Sequence, residues 1–121
     1  MNKTKLIFKW LLAVVFMLAG TNHFINPQFY KKIMPPYLPW HFFLIYLSGI
    51  LEIILGILLL IKKTEKLAAW GLVLLLLAVF PANVYMAMNT ESFPQFSPVL
   101  IYLRLPFQFL LIAWAFRFTR D

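Results

Sequence analysis

His23, Glu52, Asn83, Arg104 and Gln108 have side chains that can hold a proton or grip an oxygen, and each interrupts an apolar run. Asn22 adjoins His23, and Ser48 stands one helical turn before Glu52. Glu52 is the sole acid of the stretch "LSGILEIILG". A carboxyl group there can accept or donate a proton, while Arg104, Asn83 and Gln108 can hold the oxygens of a small molecule. No metal site is expected, because one histidine, one acid and no cysteine supply too few ligands.

The depths of these residues agree. At ~1.5 Å of rise per residue, Glu52 lies about 16 Å inside His41, near the middle of a ~30 Å hydrocarbon core. Gln108 and Arg104 lie about 15 Å and about 9 Å beyond Pro98. Asn83 lies about 25 Å from Lys66, and His23 about 21 Å from Lys9, both counted from the opposite side. All fall in one layer between midplane and outer face. Ser48, Glu52 and Gly56 share a helix face with Gly49 beside them, and small residues allow helices to approach closely. That face should turn inward. Arg104 and Gln108 also share a face, one turn apart.

An isolated charge at the bilayer centre costs roughly 2.5–3.5 kcal/mol on insertion scales. Glu52 and Arg104 are opposite in sign and similar in depth, so an ion pair between them is expected. A protonated, neutral Glu52 is the alternative. The pair would either lock two helices together or line a functional pocket. Pro81 and Pro106 each remove a backbone donor close to this layer. Kinks there are expected to shape a cavity in the outer half of the bundle.

Four apolar runs must position these groups, at about residues 6–24, 42–61, 67–88 and 99–116. Each is close to the ~20 residues that cross a bilayer. The expectation is an all-α, four-transmembrane-helix bundle forming a single domain over residues 1–121. The first run also resembles a secretory signal, but cleavage after Ala19 or Gly20 would put Met17 or Leu18 where a small residue is wanted. Thr21 stands where a lipoprotein signal requires cysteine.

Lys3, Lys5, Lys9, Lys62, Lys63, Lys66, Arg117 and Arg120 flank one side of the runs, and only Lys31 and Lys32 flank the other. Both termini are therefore expected in the cytoplasm. In the first outer loop, Asn26 and Pro27 read as the cap and first residue of a short interfacial helix. Its Phe29, Tyr30, Ile33 and Met34 would face the bilayer. Pro35, Pro36 and Pro39 would end it, with Tyr37 and Trp40 in an aromatic belt. Ser97 and Pro98 read as the cap and first residue of the last helix.

Composition supports the membrane class. The chain of 121 residues is 63% hydrophobic and 12% charged, whereas soluble domains are about 45–50% apolar and about 25% charged. The net charge of +7 sits at the edges of apolar runs, which is a topology pattern and not a nucleic-acid surface. Without cysteine, the chain itself carries no disulfide or thiol redox step.

The motifs "NHF", "MPPYLPWH", "SGILEIILG", "AAWGL", "VFPANVYM" and "RLPFQ", in order along nearly the whole chain, resemble those of the DoxX family. That family takes its name from a membrane subunit associated with thiosulfate–quinone oxidoreduction. Other members are linked to redox-stress complexes, and a distant animal branch to receptor assembly. The resemblance implies a compact four-helix protein of the bacterial cytoplasmic (inner) membrane, with His23, Glu52, Asn83, Arg104 and Gln108 as its polar set by motif position.

Together these features point to a membrane subunit of a redox-related system, an accessory or binding subunit more than a stand-alone enzyme. It would bind a small amphipathic or quinone-like molecule in the outer half of the bundle. A membrane or oxidoreductase protein is the expected partner, with room for a homo-oligomer. One alternative is a non-catalytic assembly protein whose polar cluster is internal glue. Another is a proton-coupled transporter, for which no inverted repeat is visible.

Overall fold

The computed structural model describes residues 2–34, 36–94 and 96–120. Pro35, one of the prolines expected to end the short helix, lies outside the described residues. Among the described residues there is no strand. The helices are α1 (Lys3–Ile25), α2 (Pro27–Ile33), α3 (His41–Leu59), α4 (Glu65–Met88) and α5 (Pro98–Arg117), with a 3-10 turn at Thr90–Ser92. Four of them, α1, α3, α4 and α5, are long and apolar enough to cross a membrane. Their limits lie within one turn of those the hydropathy pattern predicts.

The helix ends have local causes. Asn2 caps α1, its side-chain oxygen accepting the Lys5 N–H at 2.7 Å. Pro27 and Pro98 occupy the first turns of α2 and α5, where a missing N–H costs nothing. Asn26 and Ser97 hold the expected cap positions, but neither side chain makes a cap bond. Between α3 and α4, the Thr64 hydroxyl donates to the Leu58 carbonyl at 2.8 Å and ties the turn down. Trp40 enters α3 with φ 53 and ψ 52. A bulky side chain in the left-handed region carries strain on the order of 1–2 kcal/mol.

Tight approach of α1 to α3 positions the rest. A Cβ on Gly20 would lie 2.5 Å from the Gly49 carbonyl oxygen, and one on Gly49 would lie 2.8 Å from the Gly20 carbonyl oxygen. Only glycine lets the two backbones come this close. Further down, Gly56 meets the Ala13 backbone and Met17. The inward Ser48–Glu52–Gly56 face is therefore borne out, with α1 as its neighbour.

Two apolar clusters fill the bundle. One, at the end that carries the termini, gathers Leu12, Phe16, Leu59, Leu72, Leu76 and Phe118. The other, at the opposite end, gathers Ile33, Met86, Phe93 and Ile101, with Phe29 and Tyr30 packed against it. This corrects the expected direction of α2. Its apolar face, Ile33 above all, turns onto the bundle and not to the bilayer, because Met86, Phe93 and Ile101 offer it an apolar seat.

Candidate functional site

The polar layer lies between the two clusters. On α1, His23 follows Gly20 by one turn, so the close crossing brings its ring against α3. His23 Nδ1 lies 2.9 Å from the Ile45 carbonyl and 3.1 Å from Ser48 Oγ, and the Ser48 hydroxyl itself donates to the Ile45 carbonyl at 3.0 Å. A carbonyl can only accept, so Nδ1 carries the proton, a tautomer inferred from this network. The other ring nitrogen, Nε2, lies 3.0 Å from Glu52 Oε2. The contact is not a straight hydrogen bond: no donor among the described residues aims directly at this oxygen, which is closed off from solvent.

Two lone pairs would repel at that distance, so the pair carries one proton besides the one on Nδ1. Whether it resides on the imidazole or on the acid, the pair holds it in common and carries no net charge. The partner of Glu52 is thus His23. The expected Glu52–Arg104 ion pair is not formed. Depth alone predicts it, but Gly20 and Gly49 carry α3 to α1 and leave Arg104 to α4.

Arg104 belongs to a second network. Its Nε donates to Asn83 Oδ1 at 3.1 Å, Asn83 Nδ2 donates to Gln108 Oε1 at 2.8 Å, and Gln108 Nε2 donates to the Leu76 carbonyl at 2.7 Å. Leu76 precedes Leu77, whose carbonyl loses its helical donor to Pro81. Asn83 and Gln108 thereby spend their amides on holding Arg104 and the α4 backbone. The terminal amino groups of Arg104 have no acceptor among the described residues.

Arg104 also lines a groove of about 380 Å³ with Leu100, Leu103, Pro106, Phe107 and Leu110. All these residues belong to α5, and both proline-bearing helices continue through their prolines. In place of the cavity expected within the outer half of the bundle, Arg104 lines an open groove along the outside of α5, among exposed Leu100, Leu103, Phe107 and Leu110.

Tyr30 links the two networks and was missed in the sequence as a site residue. Its ring lies 4.0 Å from the His23 ring, and its hydroxyl accepts the Asn22 side-chain N–H at 2.8 Å. Burial pushes the Tyr30 phenol above the usual tyrosine range. The Asn22 hydrogen bond opposes this, Glu52 adds to it and Arg104 opposes it, so both charges reach this phenol. Its placement in a short loop helix, outside the long apolar runs, concealed it.

The sequence reading also missed a buried ion pair at the end that carries the termini, where Lys9 Nζ lies 3.4 Å from Glu65 Oε1. The signal was there. Lys9 shares the buried face of α1 with Leu12, Ala13, Phe16, Gly20 and His23, in helical register. Among the described residues, no group of acids and histidines is arranged to hold a metal.

These features define a helical protein with four helices able to cross a membrane and a layered polar interior. The chain belongs to the family described as Domain of unknown function (DUF8561), whose profile matches residues 12–119. No curated protein and no solved structure matches it.

Proposed function

We propose that the protein spans the membrane four times and binds a small amphipathic molecule whose oxygen-bearing head rests on Arg104 and whose apolar part lies along α5. The observation that carries this is the placement of Arg104. Asn83 fixes it through Nε, its terminal amino groups have no acceptor among the described residues, and it stands in the wall of an apolar groove open from the side. A guanidinium is costly to keep in hydrocarbon, and such residues commonly mark binding sites. Asn83 and Gln108 serve as supports. The His23–Glu52 pair, roofed by Tyr30, is the place where a proton is held.

The DoxX-like motifs support a role as a membrane subunit of a redox-related system in the bacterial cytoplasmic membrane. A protein partner and a homo-oligomer belong to that proposal, and a quinone-like molecule is the alternative ligand. The basic residues gathered beside the termini and the α3–α4 turn support cytoplasmic termini. The position of α2 supports an interfacial helix on the other side. The assembly alternative draws on the Asn83–Gln108–Leu76 chain, which is internal glue.

The test is mass spectrometry of lipophilic molecules retained after gentle extraction, comparing wild type with Arg104→Gln and Glu52→Gln. The binding proposal expects a retained molecule that Arg104→Gln loses. If both variants lower only folding yield, and neither changes what is retained, the assembly role is the better account.

A further inference from the structure

The charges inside the bundle do not cancel. Lys9 is offset by Glu65. His23 and Glu52 hold one proton between them and are neutral together. Asn83, Gln108 and Tyr30 supply dipoles and no charge. Arg104 is left as the one cation of the polar layer with no carboxylate against it among the described residues.

Its surroundings sharpen the point. The groove walls, Leu100, Leu103, Pro106, Phe107 and Leu110, are wholly apolar and cannot screen the guanidinium. Among the described residues, the acceptor on Arg104 is the neutral Asn83 oxygen at 3.1 Å. Arg104 is half-buried, and a cation held against apolar walls is stabilised best by an opposite charge that also accepts its hydrogen bonds. The bidentate fork of a guanidinium fits a carboxylate or a phosphate.

On the ligand-binding reading above, we infer that the ligand is a singly charged anionic amphiphile, with its carboxylate or phosphate head on the terminal amino groups of Arg104 and its hydrocarbon chain in the α5 groove. A neutral head, such as a quinone carbonyl, leaves the cation uncompensated. A dianionic head leaves a net negative charge in hydrocarbon. The head can belong to a bilayer phospholipid or to a free amphiphile.

The probes are palmitate, kept ionised by mildly alkaline buffer, and hexadecanol, which has the same chain and no charge. Each is titrated against the delipidated full-length protein by native mass spectrometry. Palmitate should bind wild type at least about tenfold more tightly than hexadecanol. Arg104→Gln should bring the two close together, and Arg104→Lys should keep part of the preference. The wild-type comparison stands even if a variant fails to fold.

Phosphatidylglycerol retained through extraction and displaced by palmitate identifies a bilayer lipid as the source. Palmitate binding with no competition from phosphatidylglycerol identifies a free amphiphile. Equal binding of palmitate and hexadecanol, or a preference unchanged in Arg104→Gln, overturns the anionic head and leaves ligand binding intact. Failure of palmitate, hexadecanol and a short-chain quinone alike overturns both.

Discussion

The pairing of His23 with Glu52 sets what single substitutions should do. Glu52→Gln keeps the shape and puts an amide N–H where the shared proton was, facing a neutral Nε2. Its loss of stability should be about 1 kcal/mol or less. Glu52→Ala leaves the ring nitrogen buried without a partner and should cost about 3 kcal/mol or more. Unfolding in detergent, followed for both variants, checks the order; equal losses would contradict a shared proton. The raised Tyr30 phenol fixes the sign of an alkaline effect. With the folded pKa above the unfolded one, the neutral phenol stabilises the fold below the unfolded value. That stability drains away as pH rises toward the folded value. Wild type should therefore lose more stability than Tyr30→Phe across the alkaline range, measured as the difference between their unfolding midpoints. Residue types were legible in the sequence because a charge in an apolar run stands out. Partners were not, because depth is one coordinate and helix rotation is another. Glu52 and Arg104 match in depth and still face different neighbours.

At the scale of elements, the α1–α3 crossing is the device that builds the proton-holding pair. A methyl on Gly49 would meet the Gly20 carbonyl oxygen and His23 Cβ, each at 2.8 Å. Backbone and a helix-borne Cβ cannot swing aside, so α1 and α3 must part. Gly49→Ala should cost about 1–3 kcal/mol, in the range of overpacked cores. It should also shift the His23 ring resonances in NMR spectra, and a change in stability with His23 unmoved would sever the crossing from the pair. The Lys9–Glu65 bridge ties α1 to α4 at the other end of the bundle. Removing one partner strands a buried charge, whereas replacing both by apolar or neutral groups is far milder. Lys9→Met alone should destabilise by about 3 kcal/mol, and adding Glu65→Gln should recover most of it, as a double-mutant cycle would show. Helix limits were readable because apolar runs and prolines mark them directly. The inward turn of α2 was not. It depends on Met86, Phe93 and Ile101 forming its seat, and those residues are distant in sequence.

For the whole molecule, sidedness decides which leaflet the Arg104 groove opens into. Lys9 is neutralised by Glu65 and drops out of the charge comparison. Lys3, Lys5, Lys62, Lys63, Lys66, Arg117 and Arg120 still crowd the end that carries the termini, against Lys31 and Lys32 at the other. Those two lie on α2, with Nζ 5.0 Å from the Phe42 ring centroid and 5.6 Å from that of Phe93. They anchor α2 to its own end of the bundle more than they compete for orientation. The topology proposed above, with cytoplasmic termini, rests on that imbalance. On that topology Arg104, early in α5, lies in the outer half, and the groove below it opens to the outer leaflet. The chain has no cysteine, so single introduced thiols report sidedness without background. Ser92→Cys should react with a membrane-impermeant maleimide in intact cells. Lys63→Cys should react only after the membrane is opened. The reverse pattern would invert the protein and move the Arg104 groove to the inner leaflet, where the proposed anionic ligand would enter from the cytoplasmic side.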